Sequence, residues 1–130
     1  MRQLHISLIT ACVLACAPAF AADTMAKGEY KAEKDRIQST HKVDLKACDA
    51  MKDNAKDICK QEVKGKEKVA LAELDYKNTT KPDDMKKVTK AKAESTYEVA
   101  KERCDDQSGA AKDACQATAK ADFEKAKKGS

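Results

Sequence analysis

Apolar side chains, with a few polar ones such as His41 and Asp122 among them, recur along this chain at three- and four-residue steps in four separate stretches. Tyr30, Ile37, His41, Leu45 and Cys48 fall on one stripe, and Cys59, Val63, Ala70 and Leu74 on the next. Ala93, Tyr97, Ala100 and Cys104 make a third; Cys115, Ala119, Asp122 and Ala126, with Phe123 beside them, make a fourth. That period is one face of an α-helix, so the pattern predicts four helices. Turn and capping residues separate them. Asp53-Asn54 interrupts the first pair and Ser108-Gly109 the second; Asn54 with Asp57 three residues on resembles a capping box, and Ser108 is a natural N-cap. Between the pairs, Asn78-Thr79-Thr80-Lys81-Pro82-Asp83 breaks the pattern. Here Thr80 is expected to cap the next helix, with Pro82 in its first turn and Asp83 near its positive end.

Laid against itself with a shift of 56 residues, the chain shows 11 identities over 32 positions without a gap. The centre of the match is Cys-Asp-x5-Ala-Lys-Asp-x-Cys, from Cys48 to Cys59 and again from Cys104 to Cys115. Alanine and lysine bias yields scattered matches, but not two cysteine pairs at one spacing. The chain reads as an internal repeat of a helix, a short turn and a second helix. In such a hairpin the cysteines flanking the turn meet at disulfide geometry, with Cα atoms about 5.5 Å apart. Closing each loop is expected to contribute about 3 kcal/mol. An unbroken helix is the competing geometry: it would set each pair about 16 Å apart on one face and force pairing across helices or chains. Gly109 and Asp53-Asn54 favour the hairpins, with Cys48 bonded to Cys59 and Cys104 to Cys115. The predicted fold is all-α: two disulfide-stapled helical hairpins whose four helices form an antiparallel bundle or an extended pair.

The N-terminus has a different pattern. Arg2 precedes an apolar run from Ile6 to Ala17, and Ala19-Phe20-Ala21 places small residues where a signal peptidase reads them. Residues 1–21 are therefore expected to be a secretory signal peptide, cut between Ala21 and Ala22. A run of about a dozen residues is too short to span a bilayer, so no stable membrane insertion is expected after cleavage. Cys12 and Cys16 lie inside this segment. Cys16, after Val13-Leu14-Ala15, also tolerably fits a lipid-attachment site, but the Ala-Phe-Ala site follows directly and favours soluble release. The first hairpin then occupies 22–77, the linker 78–83 and the second hairpin 84–130. Export to the periplasm also places the cysteines where disulfides form and persist.

Composition adds one constraint. Only 11 of the 109 residues from Ala22 onward are Leu, Ile, Val or Phe, a fraction that often marks disorder. Abundant alanine, lysine and glutamate still favour helix. The chain is helical but buries little, so the disulfides must supplement its core. Acidic and basic residues alternate, as in Lys31-Ala32-Glu33-Lys34-Asp35-Arg36, the pattern of solvated helix faces. With basic residues unsegregated and no aromatic platform, no nucleic-acid partner is expected.

The doubled Cys-Asp-x5-Ala-Lys-Asp-x-Cys motif in a lysine- and alanine-rich exported chain resembles a group of small periplasmic proteins of beta-proteobacteria. The resemblance covers nearly all of the chain after the leader. It implies the periplasm and paired helices, and supplies no activity or site. A looser likeness to the mitochondrial twin-cysteine hairpins, which carry a pair of bonds in each hairpin, is read as convergence.

Candidate chemistry is sparse. His41 lies two turns before Cys48, and Met25, Met51 and Met85 are soft ligands. Yet the repeat places Tyr97 opposite His41 in the alignment, which reads both as interface residues. No close Cys/His spacing of a zinc site occurs. The cysteine spacing is far wider than in thiol oxidoreductases, and one histidine after the leader gives no Ser-His-Asp arrangement. No catalytic residue, metal site or cofactor is assigned. The expected role is a non-enzymatic periplasmic protein: a protein-interaction or chaperone-like, envelope-stress module. The alternatives are a structural envelope spacer and a metal-sequestering protein. The expected partner is another protein or envelope component, and the thin core also invites a second copy of the chain.

Overall fold

The computed structural model describes residues 25–128. The expected leader at 1–21, its cut between Ala21 and Ala22, and Cys12 and Cys16 lie outside the described residues. Four α-helices account for nearly all of the rest: α1 (Lys27–Cys48), α2 (Asp53–Thr79), α3 (Pro82–Cys104) and α4 (Gly109–Lys128). Each runs antiparallel to the next. The two hairpins therefore carry both of their turns at one end, and α2 and α3 are joined at the other.

Both cysteine pairs are at disulfide distance, Cys48 with Cys59 and Cys104 with Cys115, with Cα separations of 5.6 Å in each. Cys48 and Cys104 are the two fully buried side chains of the molecule's described part. Beside each bond a second clasp closes the same turn. Lys56 Nζ lies 3.2 Å from Asp49 Oδ1, and Lys112 Nζ lies 2.8 Å from Asp105 Oδ1. The Asp and Lys of Cys-Asp-x5-Ala-Lys-Asp-x-Cys thus meet across the turn in both copies. Lys60 adds a second cation to Asp49, at 3.3 Å. The two lysines hold the Asp49 carboxyl below its ordinary range, Lys56 first, and Asp105 raises Lys112.

Capping differs from expectation. Asn54 forms no capping box: α2 begins at Asp53 with Lys52 as an N-cap that makes no side-chain bond. The Asn54 amide instead donates to the Glu102 carbonyl at 2.7 Å, reaching across to the last turn of α3. An orphan helix-end carbonyl is a competing acceptor for the same side chain. Asp53 and Gly109, aligned by the 56-residue shift, both open their helices in left-handed backbone, with φ of 50° and 58°. Glycine adopts that conformation freely and aspartate is among the residues that tolerate it. Thr80 does not cap α3. It terminates α2, with φ of 53° and its N–H donating to the Tyr76 carbonyl at 2.7 Å. Only Thr80 and Lys81 lie between α2 and α3, so the connection is shorter than the pattern-based span 78–83. Pro82 does open α3, and Asp83 does lie in its first turn.

Asp84 fastens this turn. It is buried, accepts a hydrogen bond from the Thr79 hydroxyl, and pairs with Lys87 at 2.7 Å. Lys87 and then Thr79 hold its carboxyl below the ordinary value of 3.8. A carboxyl lowered in the folded state contributes stability that is complete above the unfolded value and is lost as pH falls through the folded one. Asp84→Ala is therefore expected to lower Tm at pH 7, and the gap from the parent should close on acidification to pH 2. Thermal melts at the two pH values check it.

The core is thin and runs as seams between neighbouring helices. Ile37 and Val63 are buried at α1–α2, Val88 and Ala91 on α3, and Ala93 and Ala119 at α3–α4. At the centre Gly65 meets Ser95 so closely that a Cβ on Gly65 would stand 2.8 Å from Ser95 Cβ. The Ser95 hydroxyl donates to the Ala91 carbonyl at 2.7 Å and lies 3.3 Å from the Gly65 carbonyl. Around this point α2 and α3 are laced by Arg103–Glu62 at 2.8 Å, Lys92–Glu73 at 2.7 Å and Lys68–Glu94. Exposed pairs of this kind stabilise little individually. The small-residue contact is what sets the approach. At the far end, the Tyr30 hydroxyl donates to Asp75 at 2.5 Å and ties the start of α1 to the end of α2.

Among the described residues, each helix packs only on its neighbours in sequence: α1 on α2, α2 on α3, α3 on α4. The four helices form an antiparallel bundle that stays open, because α1 and α4 do not meet. No described helix is long and apolar enough to cross a membrane.

Candidate functional site

Among the described residues, the open bundle leaves one face of its central helices uncovered. α3 forms the floor of a groove of about 1200 Å³, with α2 and α4 as its walls. Val69 and Ala70 project from α2, Val99 and Ala100 from α3, and Ala111 and Ala114 from α4. The Cys104–Cys115 bond lines the turn end. These residues lie partly off the four apolar stripes, because they occupy the flank of each helix and not its seam. Ala70, Ala100, Cys104 and Cys115 do belong to the stripes; off them, Val99 and Ala111 carry a signal as identities with Val43 and Ala55 under the 56-residue shift. Val43 itself is 66% exposed on α1.

Polar groups in the groove are mostly committed elsewhere. Ser95 is bound to Ala91, the Thr96 hydroxyl donates to the Lys92 carbonyl at 3.0 Å, and Thr118 donates to Ala114 at 3.0 Å. Arg103 and Glu62 neutralise each other, as do Lys92 and Glu73. What the groove offers is therefore apolar surface with a charge-balanced rim. Hydroxyls that back-bond to their own helix, with no imidazole in the groove lining, present no activated nucleophile.

The other candidate residues are dispersed. His41 sits on α1 in a smaller groove beside Ile37 and Val63. Its Nδ1 is buried and makes no hydrogen bond, although Glu67 Oε2 lies 3.3 Å away. Cys48, two turns on, is paired with Cys59, while Met51 and Met85 are exposed at 46% and 47%. Among the described residues no group of three or more His, Cys, Asp or Glu side chains is placed to hold a metal ion. The 56-residue shift that aligns the two cysteine pairs suggests a physical reading of His41. Its equivalent Tyr97 stacks on Phe123, the equivalent of Glu67, with ring centroids 4.9 Å apart. One helix–helix contact is thus made twice, by a polar pair and by an aromatic pair. Installing the second chemistry in the first hairpin, His41→Tyr with Glu67→Phe, is expected to raise stability by about 1 kcal/mol. Urea titration of the double variant against the parent checks it.

Comparison of the chain with protein-family models, curated proteins and solved structures gives no match.

Proposed function

We propose that this chain is an exported, non-catalytic interaction module of the bacterial envelope, built by duplication of one stapled hairpin. It works in the periplasm, where it covers apolar segments of other proteins with the α2–α3–α4 groove. The observation that carries this reading is the open groove, with Val69 and Val99 half-buried and a run of alanines along it, on a chain that has few apolar residues to spare. Surfaces of that kind are costly in water unless something occupies them. The leader-like N-terminus and the two cysteine pairs support the compartment. The neutral rim supports a protein segment as occupant over a polyanion.

Light scattering of a thermally unfolding reporter enzyme, citrate synthase, tests the reading. The oxidised protein is expected to suppress aggregation at near-stoichiometric ratio. Val99→Lys, which places a charge in the groove without touching the seams, is expected to abolish the effect while circular dichroism stays unchanged. Suppression that survives Val99→Lys, or no suppression by the parent, overturns it. A structural spacer is the competing reading, favoured by four polar helices of 20 to 27 residues; it expects no client at all.

A further inference from the structure

We infer that the groove between α2, α3 and α4 is closed by α4 of a second copy of this chain, in a two-fold dimer. The inference rests on the reading of the groove as an interaction surface and names its resting occupant.

The rim charges carry it. Of the six charged groups on the groove, four are paired within the chain: Glu62 with Arg103 and Glu73 with Lys92. Lys66 on the α2 wall and Asp122 on the α4 wall remain, and neither has an ion-pair partner among the described residues. They stand about one helical turn apart in level along the bundle. Ser95 is opposite Gly65 on one side of α3, and Tyr97 is opposite Phe123 on the other. Lys66 and Asp122 therefore face each other across the floor with a height difference of about one helical turn. The two positions are also equivalent under the 56-residue shift, with opposite charge in the two copies.

One unpaired cation and one unpaired anion facing each other across an apolar groove make a self-complementary patch. A two-fold axis midway between them sets Lys66 of each copy against Asp122 of the other, forming two pairs at once. A polyanion or an anionic lipid surface would be met by a rim with no net charge. The occupying element must also be slender. Among the described residues, α4 is an edge helix with no neighbour beyond α3, and Ala110, Ala111, Ala114, Ala117 and Ala121 are all exposed along it. Alanine faces let helix axes approach to the short end of the usual 8–10 Å range. The two-fold axis that pairs Lys66 with Asp122 runs roughly along the bundle, so each α4 lies along the other copy's α2 wall, over Val69, with Asp122 at the partner's Lys66, and the two grooves close face to face over Val99.

Sedimentation equilibrium of the purified oxidised protein, with Lys66→Glu, Asp122→Lys and their equimolar mixture, tests this. The parent is expected to dimerise. Each single variant places like charges together twice in the dimer and should dissociate at least about tenfold more readily. Mixing the two restores both pairs. The carboxylate introduced at position 66 of one variant meets the ammonium introduced at position 122 of the other, and the unaltered Lys66 and Asp122 meet as in the parent. The mixture should therefore return to within about threefold of the parent. A monomeric parent, a dimer indifferent to the single reversals, or a mixture no tighter than its components would overturn the inference. The aggregation assay on the same proteins separates the two readings. A monomeric parent that still suppresses aggregation through Val99 ends the dimer and keeps the module; a charge-switchable dimer without client activity does the reverse.

Discussion

Replacing Cys48, Cys59, Cys104 and Cys115 together by alanine is expected to lower the unfolding free energy by about 6 kcal/mol, about 3 for each loop. The loops are separate and share no residue, so the two losses should nearly add. Small domains are stable by only about 5–15 kcal/mol in total. This one buries a short list of side chains, Ile37, Val63, Leu74 and Val88 being the only large ones besides the cysteines among the described residues. The quadruple variant should therefore lose its cooperative urea transition near neutral pH. Much of its helical circular dichroism should also go, because isolated helices are marginal even when rich in alanine and lysine. Each single-pair variant should keep a transition at reduced midpoint. A quadruple variant unfolding within about 1 kcal/mol of the parent would show that the seams, and not the staples, hold the hairpins.

Gly65→Leu is the second large effect, expected to cost about 3 kcal/mol and to act between the hairpins. A Cβ on Gly65 already meets Ser95 Cβ at 2.8 Å, an atom fixed to the α3 backbone and unable to swing aside. Overpacking at such a point forces the helices apart, against a helix-propensity gain of about 1 kcal/mol. Separation would also break the Ser95–Gly65 contact and the laced pairs around it. Because each hairpin keeps its disulfide, the variant should retain helicity while α2–α3 coupling is lost. Hydrogen exchange read along the chain distinguishes this from global unfolding: protection should fall around Gly65 and Ser95 and persist beside the four cysteines.

The local structure was legible because local forces set it. Apolar residues at three- and four-residue steps, abundant helix formers and turn residues between the cysteines specify helices wherever the chain lies. One spacing repeated twice specified the pairing, since a hairpin turn is the geometry that brings each pair into reach. The same motif holds a further contact that spacing alone does not disclose: its Asp and Lys close each turn as an ion pair, which is visible only once the turn folds them together. The capping roles expected of Asn54 and Thr80 fail for a related reason. Both have the side chains of a helix N-cap, but a carbonyl on α3 outcompetes the local partner of Asn54, and a tight connection draws Thr80 into left-handed backbone at the end of α2.

By itself, then, the sequence determined four helices, two stapled hairpins and a thin core. The tertiary structure alone decided how the hairpins meet. Gly65 against Ser95 gives a close central contact, while α1 and α4 stay apart, so the bundle remains open and the groove exists. Periodicity says which face of a helix is buried. It does not say which distant helix will cover that face, because that choice depends on side-chain size and charge brought together from separate parts of the chain.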